Sequence, residues 1–268
     1  MYFNSYVFIL FFLPLSVIGY FLLQKRGWRK AAAVYIIGMT LWFCGYGNPW
    51  NAVIFVLLIF MNYGFVILLR HKKNRTVAAG SGENASDTKN GSRQKKWVLT
   101  AGILLDVVIL IFFKISGRLP LGISFYTFQA VGWLIDVYRE GRMQDANFVK
   151  FGTFMTLFPH VISGPILRWK DTSRDLSRQN RGLDALENGL RELTIGLGMK
   201  VLLANQMADL WEKIRAVGYE SISTPLAWLG IVAFSFEIYF DFYGYSLMAI
   251  GLGEMFGFHL PKNFQYPY

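Results

Sequence analysis

The chain has 268 residues, of which 54% are apolar, 17% aromatic and only 16% charged, against roughly 25% charged in an ordinary soluble domain. Such a composition leaves too little polar surface to cover one soluble core, and it excludes disorder of the chain as a whole. The formal net charge is +10, but residues 70–96 alone carry eight Lys/Arg against two acids; a basic loop between apolar runs explains the excess without nucleic acid.

Read in chain order, residues 3–23 are long enough to span a bilayer, with Pro14 as a tolerated kink. They lack the basic n-region and cleavage site of a signal peptide, so the span is expected to be retained. A basic turn with Lys25, Arg26, Arg29 and Lys30 follows. Residues 31–46 and 51–69 form a helical hairpin across Gly47-Asn48-Pro49-Trp50, whose Asn-Pro step is a natural breaker. Residues 1–69 are therefore expected to hold three transmembrane helices. Residues 70–96 are polar and rich in Gly, Ser and Asn, and read as a disordered basic cytoplasmic loop. Its three sequons, at Asn74, Asn84 and Asn90, are not expected to be glycosylated on that side. Cys44, the sole cysteine, excludes an internal disulfide and a Cys-rich metal site.

Residues 97–113 are the next span. Two apolar stretches interrupted by Pro and Gly follow, 121–138 and 148–167. Residues 168–191 are polar, with Leu183, Leu186 and Leu190 at the spacing of a helix lying in the interface. Residues 192–210 are moderately apolar, and 225–258 form a long apolar stretch. The Lys/Arg count of successive loops puts the N-terminus outside the cell and 70–96 inside a plasma membrane. Strict alternation would then leave the basic segment 168–191 outside. One of the two interrupted stretches is therefore expected to enter and leave on the same side, which requires backbone lining an internal cavity. The expected architecture is an all-α, polytopic membrane helical bundle with re-entrant segments around an internal tunnel.

Asp106, Asp136, Lys200, Glu237, Asp241 and Glu254 fall inside apolar segments, where a charge costs roughly 2.5–3.5 kcal/mol at a helix centre and faces a bundle interior or a water path. Glu237 and Asp241 share one helix face, Tyr245 extends it by another four residues, and Ser246 lies near it. Such a face can form a proton relay, a cation site, or a polar patch that fixes helix packing. His71, in the basic loop, reads as solvated. His160 follows a Phe-Pro break, and His259 follows the last span. None has the spacing of a metal site or of a nucleophile–base pair.

Three motifs, in order, resemble the membrane-bound O-acyltransferase family, in particular its branch of alginate O-acetyltransferases and teichoic-acid D-alanyl transfer proteins. The first is Leu119-Pro120-Leu121-Gly122-Ile123-Ser124-Phe125-Tyr126-Thr127-Phe128-Gln129, with Asp136-Val137-Tyr138-Arg139 after it. The second is Phe158-Pro159-His160 with Ser163-Gly164-Pro165-Ile166 and Arg168. The third runs from Tyr239-Phe240-Asp241-Phe242-Tyr243-Gly244-Tyr245-Ser246 and Met248-Ala249-Ile250-Gly251 to Pro261-Lys262-Asn263-Phe264-Gln265-Tyr266-Pro267-Tyr268. The resemblance implies transfer of an acyl group, usually acetyl, from acetyl-CoA or another acyl thioester to a hydroxyl of an exported or cell-envelope polysaccharide. An extracytoplasmic acyltransferase is a possible partner. It also implies that Ser124, Gln129, Glu237, Asp241, Tyr245 and Ser246 line or support the tunnel. The family's base is a histidine beyond the Asn-Phe-x-x-Pro-Tyr motif, and none of the three histidines here matches it. Residues 97–268 then read as the N-terminal part of the family core, and the chain by itself is expected to be inactive. Two other classes fit the same features: a non-catalytic scaffold for a polymer-modifying partner, and a small transporter, whose inverted repeats are not found.

The charge counts make one direct prediction. A cysteine placed at Ser81 on a Cys44→Ser background should resist an impermeant thiol reagent in intact cells; labelling there would reverse the topology.

Overall fold

The computed structural model describes residues 3–78, 85–140, 148–157, 164, 169, 183–218 and 220–262, without the side chains of 70–92, 140 and 183. The described residues are helical and contain no strand. In chain order the helices are α1 (Leu13–Lys25), α2 (Arg29–Gly45), α3 (Pro49–Ala78), α4 (Ala85–Ile115), α5 (Ile123–Glu140), α6 (Phe148–Met155), α7 (Leu183–Gly198), α8 (Asn205–Ala216) and α9 (Thr224–Met255). Among the described residues, four helical segments are long and apolar enough to cross a membrane: Phe8–Lys25, Pro49–Leu69, Arg93–Ile115 and Thr224–Met255. Their outer faces expose large apolar side chains such as Leu10, Phe11, Leu57, Val108, Phe112, Trp228 and Ile231. That much exposed hydrocarbon suits lipid and not water, and the chain is a polytopic helical membrane protein.

The chain divides into two compact units. One comprises Gly19–Ile162 with Ile166–Arg174, the other Tyr2–Ile18 with Asp175–Tyr268. In the first, α2 and α3 form the expected hairpin. Gly47 takes φ +88°, and Pro49 opens α3 at a position whose N–H would go unused. Asn48 caps the helix, its Oδ1 accepting from the Trp50 N–H at 3.1 Å. Where the sequence reading places a linker at 70–96, the backbone is helical to Ala78 and again from Ala85. Ala, Lys and Arg are good helix formers, and they carry both helices past their apolar segments.

The two interrupted stretches differ from each other. The first is one unbroken helix, α5, despite the Gly and Pro before it. The second begins as α6, whose eight residues reach only about 12 Å, well short of a bilayer core of about 30 Å. How that stretch continues through 158–163 and 165–167, and with it the expected re-entrant path, lies outside the described residues. α6 is held by an aromatic cluster, with Trp133 at 4.7 Å from Phe151, 5.1 Å from Phe154 and 4.4 Å from Trp169. Its buried C-terminal carbonyls are taken by side chains of other helices. The Gln129 amide of α5 donates to the Phe154 carbonyl at 3.0 Å, and the Thr40 hydroxyl of α2 donates to that of Thr156.

In the second unit, α7 and α8 are joined without interruption through a π-helical turn at Met199–Ala204. A similar turn, Phe8–Phe12, precedes α1 and its Pro14, with the Leu13 N–H bonded to the Phe8 carbonyl. The apolar positions Leu186 and Leu190, expected on an interfacial helix, face a half-open cavity of about 340 Å³ with Phe3, Leu13, Leu193 and Met248. The helix that holds them runs to Gly198. α7 lies antiparallel on α9 through paired glycines. A Cβ at Gly189 would stand 2.5 Å from the Gly251 carbonyl, and one at Gly196 would stand 2.6 Å from the Gly244 carbonyl. The seven-residue spacing is the same on both helices, so the backbones touch twice along one seam.

The hydrogen bond from Gln129 is open to test. Gln129→Leu keeps the volume but leaves a buried carbonyl unpaired, a loss of about 1–3 kcal/mol. The purified protein should melt several degrees lower, whereas Phe128→Leu, at a position 58% exposed, should change little; equal melting of both variants would show that the Gln129 amide does not hold α6.

Candidate functional site

The carboxylates singled out in the sequence sit on α9 in the second unit. Glu237, Asp241 and Tyr245 succeed one another at four-residue steps and share a face with the seam glycine Gly244. The seam determines the partner of Asp241. Four residues past Gly196 comes Lys200, inside the π-helical turn; three residues before Gly244 comes Asp241. Because the helices run antiparallel, the two side chains meet, and the Lys200 ammonium forms an ion pair with Asp241 Oδ1. Lys200 also stands over the ring of Tyr245, 5.0 Å from its centroid. Sequence reading marked Lys200 as a charge in an apolar segment but did not connect it to Asp241. The usable signal was the pair of glycines spaced by seven in each segment.

The site is graded in exposure. The Lys200 side chain is 15% exposed and that of Asp241 47%. Asp241 therefore has its charge offset by one partner and can still accept a hydrogen bond from a second. Tyr245 is buried, its ring 5.5 Å from that of Phe3. Ser246 is buried with its hydroxyl unpartnered, and Glu237 Oε2 is likewise buried without a partner. A lysine-neutralised carboxylate on a wall of aromatic rings is suited to orienting a polar group in an apolar passage. The geometry shows no nucleophile–base pair in this cluster.

Ser124 and Gln129 belong to the other unit, on α5. Ser124 is half-buried, and Gln129 is the buried donor to the end of α6; its observed bond is structural. Asp136 is half-buried on the same helix. Asp106 is buried and accepts from the Asn62 amide at 3.0 Å. Of the histidines, His160 and the side chain of His71 lie outside the described residues. His259 is exposed, in a half-open polar cavity of about 300 Å³ lined also by Arg191, Glu192, Glu254 and Lys262, where Lys262 pairs with Glu192 at 3.2 Å. Among the described residues no group of three or more His, Cys, Asp and Glu stands ready to hold a metal. Of the second motif only Gly164 is described, and of the third the residues up to Lys262.

No family model matches the chain. Its whole length aligns with a probable alginate O-acetylase, AlgI, of Pseudomonas aeruginosa at 32% identity, covering 52% of that protein. A peptidoglycan O-acetyltransferase of Helicobacter pylori is 27% identical over 99% of the chain and 56% of its own length. A teichoic acid D-alanyltransferase of Streptococcus thermophilus is 30% identical over 66% of the chain and 46% of its own length. The chain thus spans about half the length of the curated relatives it matches. On a helical membrane architecture, the chain thus aligns over its whole length with alginate O-acetylases, and over two thirds of it with a D-alanyltransferase, all homologues from the membrane-bound O-acyltransferase family.

Proposed function

We propose that the chain is part of a membrane O-acyltransferase that moves an acyl group, acetyl in the first instance, from a thioester donor such as acetyl-CoA to a hydroxyl of a cell-envelope or exported polysaccharide. The observation that carries this reading is the similarity, over the whole chain or two thirds of it, to relatives whose names describe acyl transfer to alginate, peptidoglycan or teichoic acid. In the reaction the acceptor oxygen attacks the thioester carbonyl. The C–O bond forms, the C–S bond breaks, the hydroxyl proton passes to a base, and the thiolate leaves to be protonated as the thiol.

Within that scheme α9 supplies the wall of the passage. Asp241, neutralised by Lys200, accepts a hydrogen bond from a sugar hydroxyl and orients it, and Glu237, Tyr245 and Ser246 extend the polar face. His71, His160 and His259 do not stand at the family's base position, so the base comes from sequence outside these 268 residues, and the chain by itself is inactive. The enzyme resides in the plasma membrane with residues 70–96 in the cytoplasm, where the donor is available, and an extracytoplasmic acyltransferase can take part in delivery to the polymer.

The test is expression in an acetylation-deficient host, with and without a matching C-terminal half from a relative, followed by measurement of ester-linked acetate on the envelope polymer. The chain alone should give background, since loss of a general base removes about 10²–10⁴-fold of rate; the paired halves should restore transfer. Robust acetylation by the chain alone would overturn the assignment of the base. In the restored enzyme, Asp241→Ala removes a charged hydrogen bond of about 1.5–3 kcal/mol and should lower transfer roughly 10- to 100-fold. At matched expression Ile231→Ala, on the exposed side of α9, should leave it near the parent level. Equal activity of the two variants would reduce Asp241 to a packing role.

A further inference from the structure

Three helices of the first unit bury a polar cluster apart from the α9 site: Asn62 on α3, Asp106 on α4 and Tyr126 on α5, none more than 2% exposed. Asn62 Nδ2 donates to the Leu58 carbonyl at 3.2 Å and to Asp106 Oδ1 at 3.0 Å, which uses both of its hydrogens. Asn62 Oδ1, Asp106 Oδ2 and the Tyr126 hydroxyl are buried without partners, and Tyr126 lies within electrostatic reach of both other residues. No Lys or Arg among the described residues pairs with Asp106. With Asp106 ionised, the cluster is one hydrogen short: two oxygens need a donor, and only the Tyr126 O–H is left to give one. It would also hold an uncompensated charge among apolar helices.

We propose that Asp106 is a proton-binding site, its carboxyl held as the neutral acid in a closed ring of three hydrogen bonds. Asn62 Nδ2–H donates to Asp106 Oδ1, Asp106 Oδ2–H donates to the Tyr126 oxygen, and the Tyr126 O–H donates to Asn62 Oδ1. One added proton gives each of the three orphaned atoms a partner and removes the charge. The ring joins α3, α4 and α5, and it does not depend on the acyl-transfer reading.

The test uses the full chain purified in detergent. Asp106→Asn places an N–H where the acid has its O–H, so its melting temperature should stay within about 2 °C of the parent; Asp106→Ala and Tyr126→Phe should each lower it by roughly 4–8 °C. The infrared difference spectrum of parent against Asp106→Asn should show loss of a protonated carboxyl C=O stretch. Carboxylate bands in its place would overturn the proposal whatever the melting temperatures. So would an Asp106→Asn variant as unstable as Asp106→Ala, or stabilisation of the parent alone by added sodium or potassium chloride, which would identify a bound cation instead of a proton.

Discussion

A peptide carbonyl at the end of a helix in hydrocarbon has no water to turn to, and this protein solves that problem with side chains from neighbouring helices. The C-terminal carbonyls of α6 are the clearest case: Gln129 and Thr40 reach them from α5 and α2. Only because those donors are in place can an eight-residue helix stop among buried aromatic rings. The same requirement accounts for the hydroxyls of Ser16 and Thr153, which return to carbonyls of their own helices. It also explains why the widened turns at Phe8–Phe12 and Met199–Ala204 keep their backbone bonded through the distortion instead of breaking the helix.

Charge obeys the same rule with larger stakes. Lys200 and Asp241 neutralise each other where two backbones touch, and Asp106 is surrounded by an amide and a phenol with no cation among its described partners. The contrast assigns them different work. Asp241 remains 47% exposed and open to a ligand, whereas Asp106 is 2% exposed and closed to one. Under the proposed function the first kind of group stands where a ligand can reach it, and the second holds helices together.

The class of fold was legible because a membrane imposes length and hydropathy directly on the sequence. The α2–α3 hairpin was legible as well, from a Gly-Asn-Pro break whose chemistry is local. The helices α3 and α4 run further than hydropathy indicated, since polar residues of good helix propensity do not mark where a helix leaves lipid. Glu237, Asp241 and Lys200 stand out as charges in apolar sequence, but the pairing of Lys200 with Asp241 does not, because it depends on an antiparallel register that only the packed glycines establish. Gln129 reads in the sequence as lining or supporting a passage, and its observed bond is to a carbonyl. A buried amide near a Gly- and Pro-rich stretch looks the same in sequence whether it serves a ligand or the backbone. Neither π-helical turn carries a sequence signature of its own.

The glycine seam also has a consequence for time scale. With α7 and α9 in backbone contact at Gly189/Gly251 and Gly196/Gly244, the helices beside Lys200 and Asp241 form one stiff body. Separation of that ion pair therefore proceeds by rotation of the half-exposed Asp241 side chain, an event of picoseconds to nanoseconds, and not by helix displacement over microseconds to milliseconds. Enzyme turnover at about 1–10³ per second is slower by orders of magnitude. Under the proposed function, a ligand held at Asp241 through one turnover meets the equilibrium average of paired and open states and not a gate that must be waited for.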